Sequence, residues 1–205
     1  MKKFFKRAIK SDLVKVSSMN GVANLIKILT SLISSKITAV YLGPTGVALL
    51  GQFQNISSMA LSLATMGINS GVTKYTAEHF DAPVKRRNIL STGFILTLAG
   101  SLLIAPLLLI FRERLAVAVL HEIGYAWIFG VLAVTVAFFA MNTFFVSILN
   151  GYKDFKSVTA VNISNSIFGL ILAVLLVIKY GIAGALLGVV LSQTLVFFVT
   201  LFFIT

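Results

Sequence analysis

Apolar residues dominate six long blocks of this chain, residues 16–40, 46–73, 88–111, 124–149, 157–178 and 182–203, and polar residues gather between them. Each block reaches the about 20 residues that carry an α-helix across a hydrocarbon core roughly 30 Å thick. The pattern predicts an all-α integral membrane protein, a six-helix transmembrane bundle. The connectors hold turn or charge signals: Leu42-Gly43-Pro44-Thr45-Gly46, then residues 74–87, 112–122 and 150–156, and finally Lys179-Tyr180-Gly181. Pro106 predicts a kink near the outer end of the third span.

Polar positions inside the blocks fall in register. In the first block Ser17, Asn20, Asn24, Lys27, Ser31, Ser34 and Thr38 are spaced alternately three and four residues apart. At about 100° per residue they stay within roughly 60° of one line along the helix. A stripe of that length cannot face lipid, so it predicts a face turned towards other helices or a wet cavity. Lys27 stands near its middle, where a lysine costs about 2.5–3.5 kcal/mol on insertion scales. The acidic residues Asp12, Glu78, Asp81, Glu113, Glu122 and Asp154 all lie at span ends or in connectors. Lys27 is therefore expected to meet water or an anionic ligand rather than a carboxylate. Lys36 falls on the opposite face, close enough to the far end to snorkel.

The second block repeats the theme with Asn55, Ser58, Ser62, Asn69 and Thr73, flanked by Gln52, and the fifth with Asn162, Asn165, Ser166 and Gly169. Gly184, Gly188 and Ser192 form a row of small residues suited to close helix packing. Neutral polar faces around one central cation describe a hydrated cavity suited to a sugar-bearing anion. Lys27, Asn20, Asn24, Ser31, Asn55, Asn69 and Asn162 are its candidate binding residues.

Composition narrows the class. The chain has 205 residues, 58% hydrophobic and only 11% charged, with a mean hydropathy of +1.00. Soluble domains carry about 25% charged residues, so a soluble enzyme is not expected. A net charge of +11 first suggests nucleic acid, but the positions of the charges argue against such a partner. Twelve of the seventeen Lys and Arg residues lie in residues 1–15, 74–87 and 150–156, and three in the alternate connectors. That asymmetry predicts a cytoplasmic N-terminus. In residues 1–15, Lys2, Lys3, Lys6, Arg7 and Lys10 oppose Phe4, Phe5, Ala8 and Ile9. This segment is either a helix lying in the cytoplasmic interface or a basic tail that enforces topology. It lacks the small-residue cleavage site of a signal peptide.

Zero cysteines exclude disulfides and thiolate chemistry. His79 and His121 lie in connectors without partners at metal spacing, and there is no phosphate loop, nucleophile elbow or carboxylate pair. Neither an enzyme nor a cofactor or metal is expected. The run Phe197-Phe198-Val199-Thr200-Leu201-Phe202-Phe203-Ile204-Thr205 closes a span with no polar tail. The chain is thus expected to be the N-terminal part of a longer protein or a half-length version of one.

Lys27 to Lys36, running into Ala39-Val40-Tyr41-Leu42-Gly43-Pro44-Thr45-Gly46, resembles the first span and outer turn of bacterial lipid-linked oligosaccharide flippases. These are of the O-antigen and lipid III type, in the polysaccharide transporter family of the multidrug/oligosaccharidyl-lipid/polysaccharide exporter superfamily. Gly71-Val72-Thr73-Lys74-Tyr75 is the most specific match, followed in order by Arg86-Arg87, Asn150-Gly151-Tyr152-Lys153-Asp154 and Gly184-Ala185-Leu186-Leu187-Gly188. The resemblance implies an inner-membrane protein, alternating between inward- and outward-open states. It would flip undecaprenyl-pyrophosphate-linked oligosaccharide for O-antigen or related surface polysaccharide synthesis. Its implied partners are that substrate, membrane lipid and a polysaccharide polymerase. Family members have about twelve spans in two lobes. Residues 16–205 would supply one six-span lobe, with a C-terminal lobe or a second copy as partner. The basic cavity residues of the family carry over to Lys27 and to Lys74 at the cytoplasmic mouth. A cation-coupled multidrug exporter of the same superfamily, or a non-transporting scaffold for polysaccharide assembly, are the alternatives.

Overall fold

The computed structural model describes side chains for residues 18–204 and a helical backbone from Lys2. The expected interfacial segment 1–15 and Ser17 lie outside the described side chains. Among the described residues five α-helices follow one another: α1 (Lys2–Ala64), α2 (Asn69–Glu78), α3 (Pro83–Leu120), α4 (Ala126–Gly151) and α5 (Phe155–Ile204), with a 3-10 turn at Ile123–Tyr125. Among the described residues there is no strand. Ser18–Ala64, Pro83–Leu120, Ile123–Gly151 and Phe155–Ile204 are long and apolar enough to cross a membrane. In lipid the backbone must satisfy its own hydrogen bonds, and helices do so within one segment.

Two glycines break the longest helices where the sequence places connectors. Gly43 takes φ 67°, ψ −175° just before Pro44, and Gly181 takes φ 58°, ψ −133°. Both are backbone regions open almost only to glycine. The second arm of α5 folds back on the first: a methyl group placed on Gly188 would sit 3.6 Å from the backbone of Leu172 and Ala173. The expected small-residue row is therefore a place of close approach between the two arms.

The apolar core centres on α4, whose most apolar stretch is 56% buried, against 6% for that of α1. Ile128, Phe129, Leu132, Ala133 and Val136 pack there with Phe53 and Ala60 of α1, Leu108 of α3 and Leu186 of α5. Phe53 and Phe129 meet edge to face, 5.5 Å between centroids. On the outside, Leu25, Ile28, Leu29 and Leu32 of α1 are exposed, as a lipid-facing surface requires. At one end of the bundle Arg86 donates to the Phe80 carbonyl at 2.6 Å and lies 5.2 Å over the Tyr152 ring. This contact ties the α2–α3 and α4–α5 connectors together.

Three local expectations are corrected. The second span, read as continuous over 46–73, breaks between Ala64 and Asn69, with Met66 and Gly67 both left-handed at φ 49° and 66°. The released Ala64 carbonyl presses against Gly100 of α3, which has no room for a side chain there. The connector expected at 112–122 is largely helical, because α3 runs on to Leu120 and ends at a left-handed His121. Arg, Glu, Leu and Ala are good helix formers, and hydropathy marks where the membrane ends rather than where the helix does. The connector expected at 74–87 shrinks to residues 79–82, since α2 reaches Glu78 and α3 starts at Pro83. Pro106 lies inside α3, whose helical assignment runs through it.

One buried polar contact joins α4 to α5: the Thr200 hydroxyl donates to the Asn142 side-chain oxygen at 2.6 Å. Interhelical bonds of this kind contribute about 0.6 kcal/mol on average in membranes, whereas a new side chain forced against a helix carbonyl costs more. Thr200→Val should lower the thermal midpoint in detergent slightly, and Gly100→Val much more. Heating followed by size-exclusion chromatography measures both, and an unchanged Gly100→Val midpoint would contradict the packing described.

Candidate functional site: a polar cleft between the arms of α1 and α5

A cleft of about 360 Å³ opens between the two arms of α1 and the two arms of α5. The first arm of α1 supplies Lys27, Ser31, Ser34 and Thr38, four successive members of the polar stripe, with Thr30 beside them. Its second arm supplies Gln54, Ser57 and Ser58, and α5 adds Asn165, Ser166, Ser192 and Gln193. Phe139 of α4 and Val177, Ala185 and Val189 of α5 contribute apolar wall. The Gly43 break places the second arm beside the stripe, and the Gly181 break does the same for α5.

Several of the hydroxyl protons on these walls are already committed. Thr38 donates to the Ser34 carbonyl at 2.8 Å, Ser58 to Gln54 at 2.8 Å, Ser166 to Asn162 at 3.0 Å and Ser192 to Val189 at 2.9 Å. Each such oxygen keeps lone pairs and acts as an acceptor. The available donors are the Lys27 ammonium, the amides of Gln54, Asn165 and Gln193, and the hydroxyls of Ser31, Ser34 and Ser57. Ser57 Oγ is buried with no hydrogen-bond partner. Among the described residues the one ion pair is Arg112 with Glu113 at 4.0 Å, so no carboxylate neutralises Lys27. The cleft can hold an anion at one point and hydroxyl groups along its walls.

The residues expected from sequence separate in space. Lys27 and Ser31 line this cleft. Asn20 accepts a hydrogen bond from Thr159 at 3.4 Å, tying α1 to the start of α5. Asn24, Asn55 and Asn162 are exposed and do not line the cleft. Asn69 and Lys74 line a second hollow of about 520 Å³. Sequence reasoning missed Thr30, Gln54, Ser57 and Gln193 as cleft residues. Gln54 lies four residues before Ser58 in the sequence, a helical spacing that could have placed it on the same face. The cleft takes the face of α1 centred on Gln54 and Ser58 rather than the neighbouring one through Asn55 and Ser62.

The family described as "Polysaccharide biosynthesis protein" matches residues 13–205. The chain belongs to this family. It is 27% identical over 185 residues to the lipid III flippases of Escherichia coli K12 and Shigella flexneri, covering 90% of this chain and 44% of each relative. It therefore spans less than half the length of these relatives. Two solved structures share its fold, each with a TM-score of 0.77 over 93% of this chain and 44% of the other. One is a multidrug resistance MATE family transporter of the MOP superfamily in an outward-facing conformation, at 19% identity. The other is a MOP superfamily transporter from Pyrococcus furiosus, at 18% identity. The family member is thus an all-helical, multi-pass membrane protein with the fold of one part of a MOP transporter.

Because the chain has no cysteine, single-cysteine labelling probes the cleft directly. Ser58→Cys and Gln193→Cys should react with a charged maleimide in opened vesicles. Leu29→Cys, on the exposed apolar face of α1, should remain at least tenfold less reactive. Equal labelling at all three positions would mean that the cleft is not wet.

Proposed function

We propose that this protein is one six-span lobe of a flippase that carries a lipid-linked oligosaccharide across the bacterial inner membrane. The observation that carries the reading is the cleft: one unneutralised cation, Lys27, set among oxygen acceptors and amides at mid-span. A pyrophosphate sits on Lys27, the sugar hydroxyls lie along Ser31, Ser34, Ser58 and Gln193, and the undecaprenyl tail stays in lipid. Membership of a polysaccharide biosynthesis family and likeness to lipid III flippases support this substrate class. The breaks at Gly43 and Gly181 support six spans over residues 16–205. A second lobe, in a continuation of the chain or in a second copy, closes the cavity. A polysaccharide polymerase receives the product. The basic clusters flanking the spans support a cytoplasmic N-terminus.

At an effective dielectric near 20, one Lys–phosphate contact at about 4 Å gives roughly 4 kcal/mol before desolvation. That selects an anion without trapping it. The alternative, a cation-coupled multidrug exporter of the same superfamily, would be expected to place a carboxylate in a span, and the acidic residues of this chain lie at span ends or in connectors. Lys27→Ala should abolish complementation of a flippase-deficient strain while membrane expression persists. Lys36→Ala, outside the cleft, should reduce it only mildly. Full complementation by a well-expressed Lys27→Ala protein would remove the cleft from the mechanism.

A further inference from the structure

The second hollow shares no lining residue with the Lys27 cleft. It forms where the first turns of α2 meet the end of α4 and the start of α5, between Lys74, Asn69, Thr73, Ser147, Asn150 and Phe155. The break after Ala64 creates it, by restarting the helix at Asn69. Gly151 allows the approach, since a side chain there would collide with Thr76 at 2.6 Å and the Thr73 carbonyl at 3.1 Å.

The chemistry of the hollow repeats that of the cleft. Thr73 donates its hydroxyl proton to the Ser147 carbonyl at 3.0 Å, Ser147 donates to Thr143 at 2.8 Å, and the Asn150 amide donates to Val146 at 2.9 Å. The oxygens of all three side chains remain as acceptors. The Asn69 side-chain oxygen is buried with no partner, which is a costly state that a bound donor or a turn of the amide relieves. Lys74 is exposed, makes no ion pair among the described residues and rests its ammonium 5.5 Å over the Tyr75 ring. Lys85 and Arg86 in the first turn of α3, Lys153 in the α4–α5 connector and Lys156 at the start of α5 give this end of the bundle a positive field.

The depths also fit. Asn20 of α1 meets Thr159, which lies one turn, about 6 Å, beyond Phe155 of the hollow. Lys27 is seven residues further along α1, about 10 Å deeper at 1.5 Å per residue. We infer that the hollow is a separate loading site for a phosphate-linked sugar headgroup. Lys74 takes the phosphate and Thr73, Ser147 and Asn150 take sugar hydroxyls, before the headgroup moves to Lys27. This rests on the flippase reading for its substrate class. The headgroup of an ordinary anionic phospholipid shares the phosphate but lacks the sugar, and the test separates the two.

The full-length protein is reconstituted with phosphatidylglycerol, phosphatidylethanolamine and a radiolabelled polyprenyl-pyrophosphate oligosaccharide. A photoreactive benzoylphenylalanine replaces either Phe155 in the hollow or Phe139 in the cleft. Both positions should capture the labelled oligosaccharide. Lys27→Ala should abolish capture at position 139 and spare capture at 155. Lys74→Gln should cut capture at 155 at least tenfold, and Lys74→Arg should restore it. Capture at 139 without capture at 155 overturns the loading site alone, as does capture of phosphatidylglycerol only at 155 or indifference to Lys74→Gln. No labelled product at either position overturns the flippase reading along with it.

Discussion

A lysine at the middle of a membrane span must be kept out of hydrocarbon, and much of this fold can be traced to that requirement. Left against lipid, Lys27 and the hydroxyls in line with it would make the first arm of α1 unstable as a spanning helix. The chain answers by folding two helices back on themselves at Gly43 and Gly181. The second arm of α1 then lies beside the stripe, and both arms of α5 add further wall, while Lys27 itself stays exposed on the open side of the cleft. α4, the most buried helix, carries the apolar load and leaves α1 free to hold the polar face. Among the described residues the central cation is thus accommodated by architecture, with no buried counter-charge beside it.

Much of this was visible in the order of residues. Hydropathy marked the apolar blocks, and Gly43-Pro44 and Gly181 stood where the helices do break. The three-four spacing of Lys27, Ser31, Ser34 and Thr38 placed them on one face, and they share one cleft. What stayed hidden was of another kind. The break at Met66-Gly67 lies inside a block long enough to read as one span, and it depends on Gly100 of a different helix receiving the Ala64 carbonyl. No local pattern records such a long-range contact. α3 overran its expected end because helix propensity continues through Arg112, Glu113 and Arg114 after hydropathy has fallen. On the second arm of α1 several neighbouring faces are polar; the sequence reading picked out Asn55 and missed Gln54, whose face tertiary packing turns to the cleft.

The two polar spaces are related through the break that separates them. Upstream of it, α1 contributes Gln54, Ser57 and Ser58 to the cleft, and downstream α2 contributes Asn69, Thr73 and Lys74 to the hollow. One apolar block thereby serves two sites at different depths, each with a single lysine amid oxygen acceptors. In the proposed flippase a phosphate-bearing sugar would meet these as two weak cationic stations in turn, and membership of a polysaccharide biosynthesis family is what suggests such a cargo.

The central claim is that the positive spot selects a phosphate-linked sugar. Its most direct test compares two lipids in liposomes holding the full-length protein: a polyprenyl-pyrophosphate oligosaccharide, and a glycolipid bearing the same sugar on an uncharged link. Exposure of fluorescent sugar to a quencher on the opposite side reports crossing. The account predicts that the pyrophosphate lipid crosses at least tenfold faster than the neutral one, and faster than in protein-free liposomes. Equal rates for the two lipids, or no acceleration of either, would contradict it.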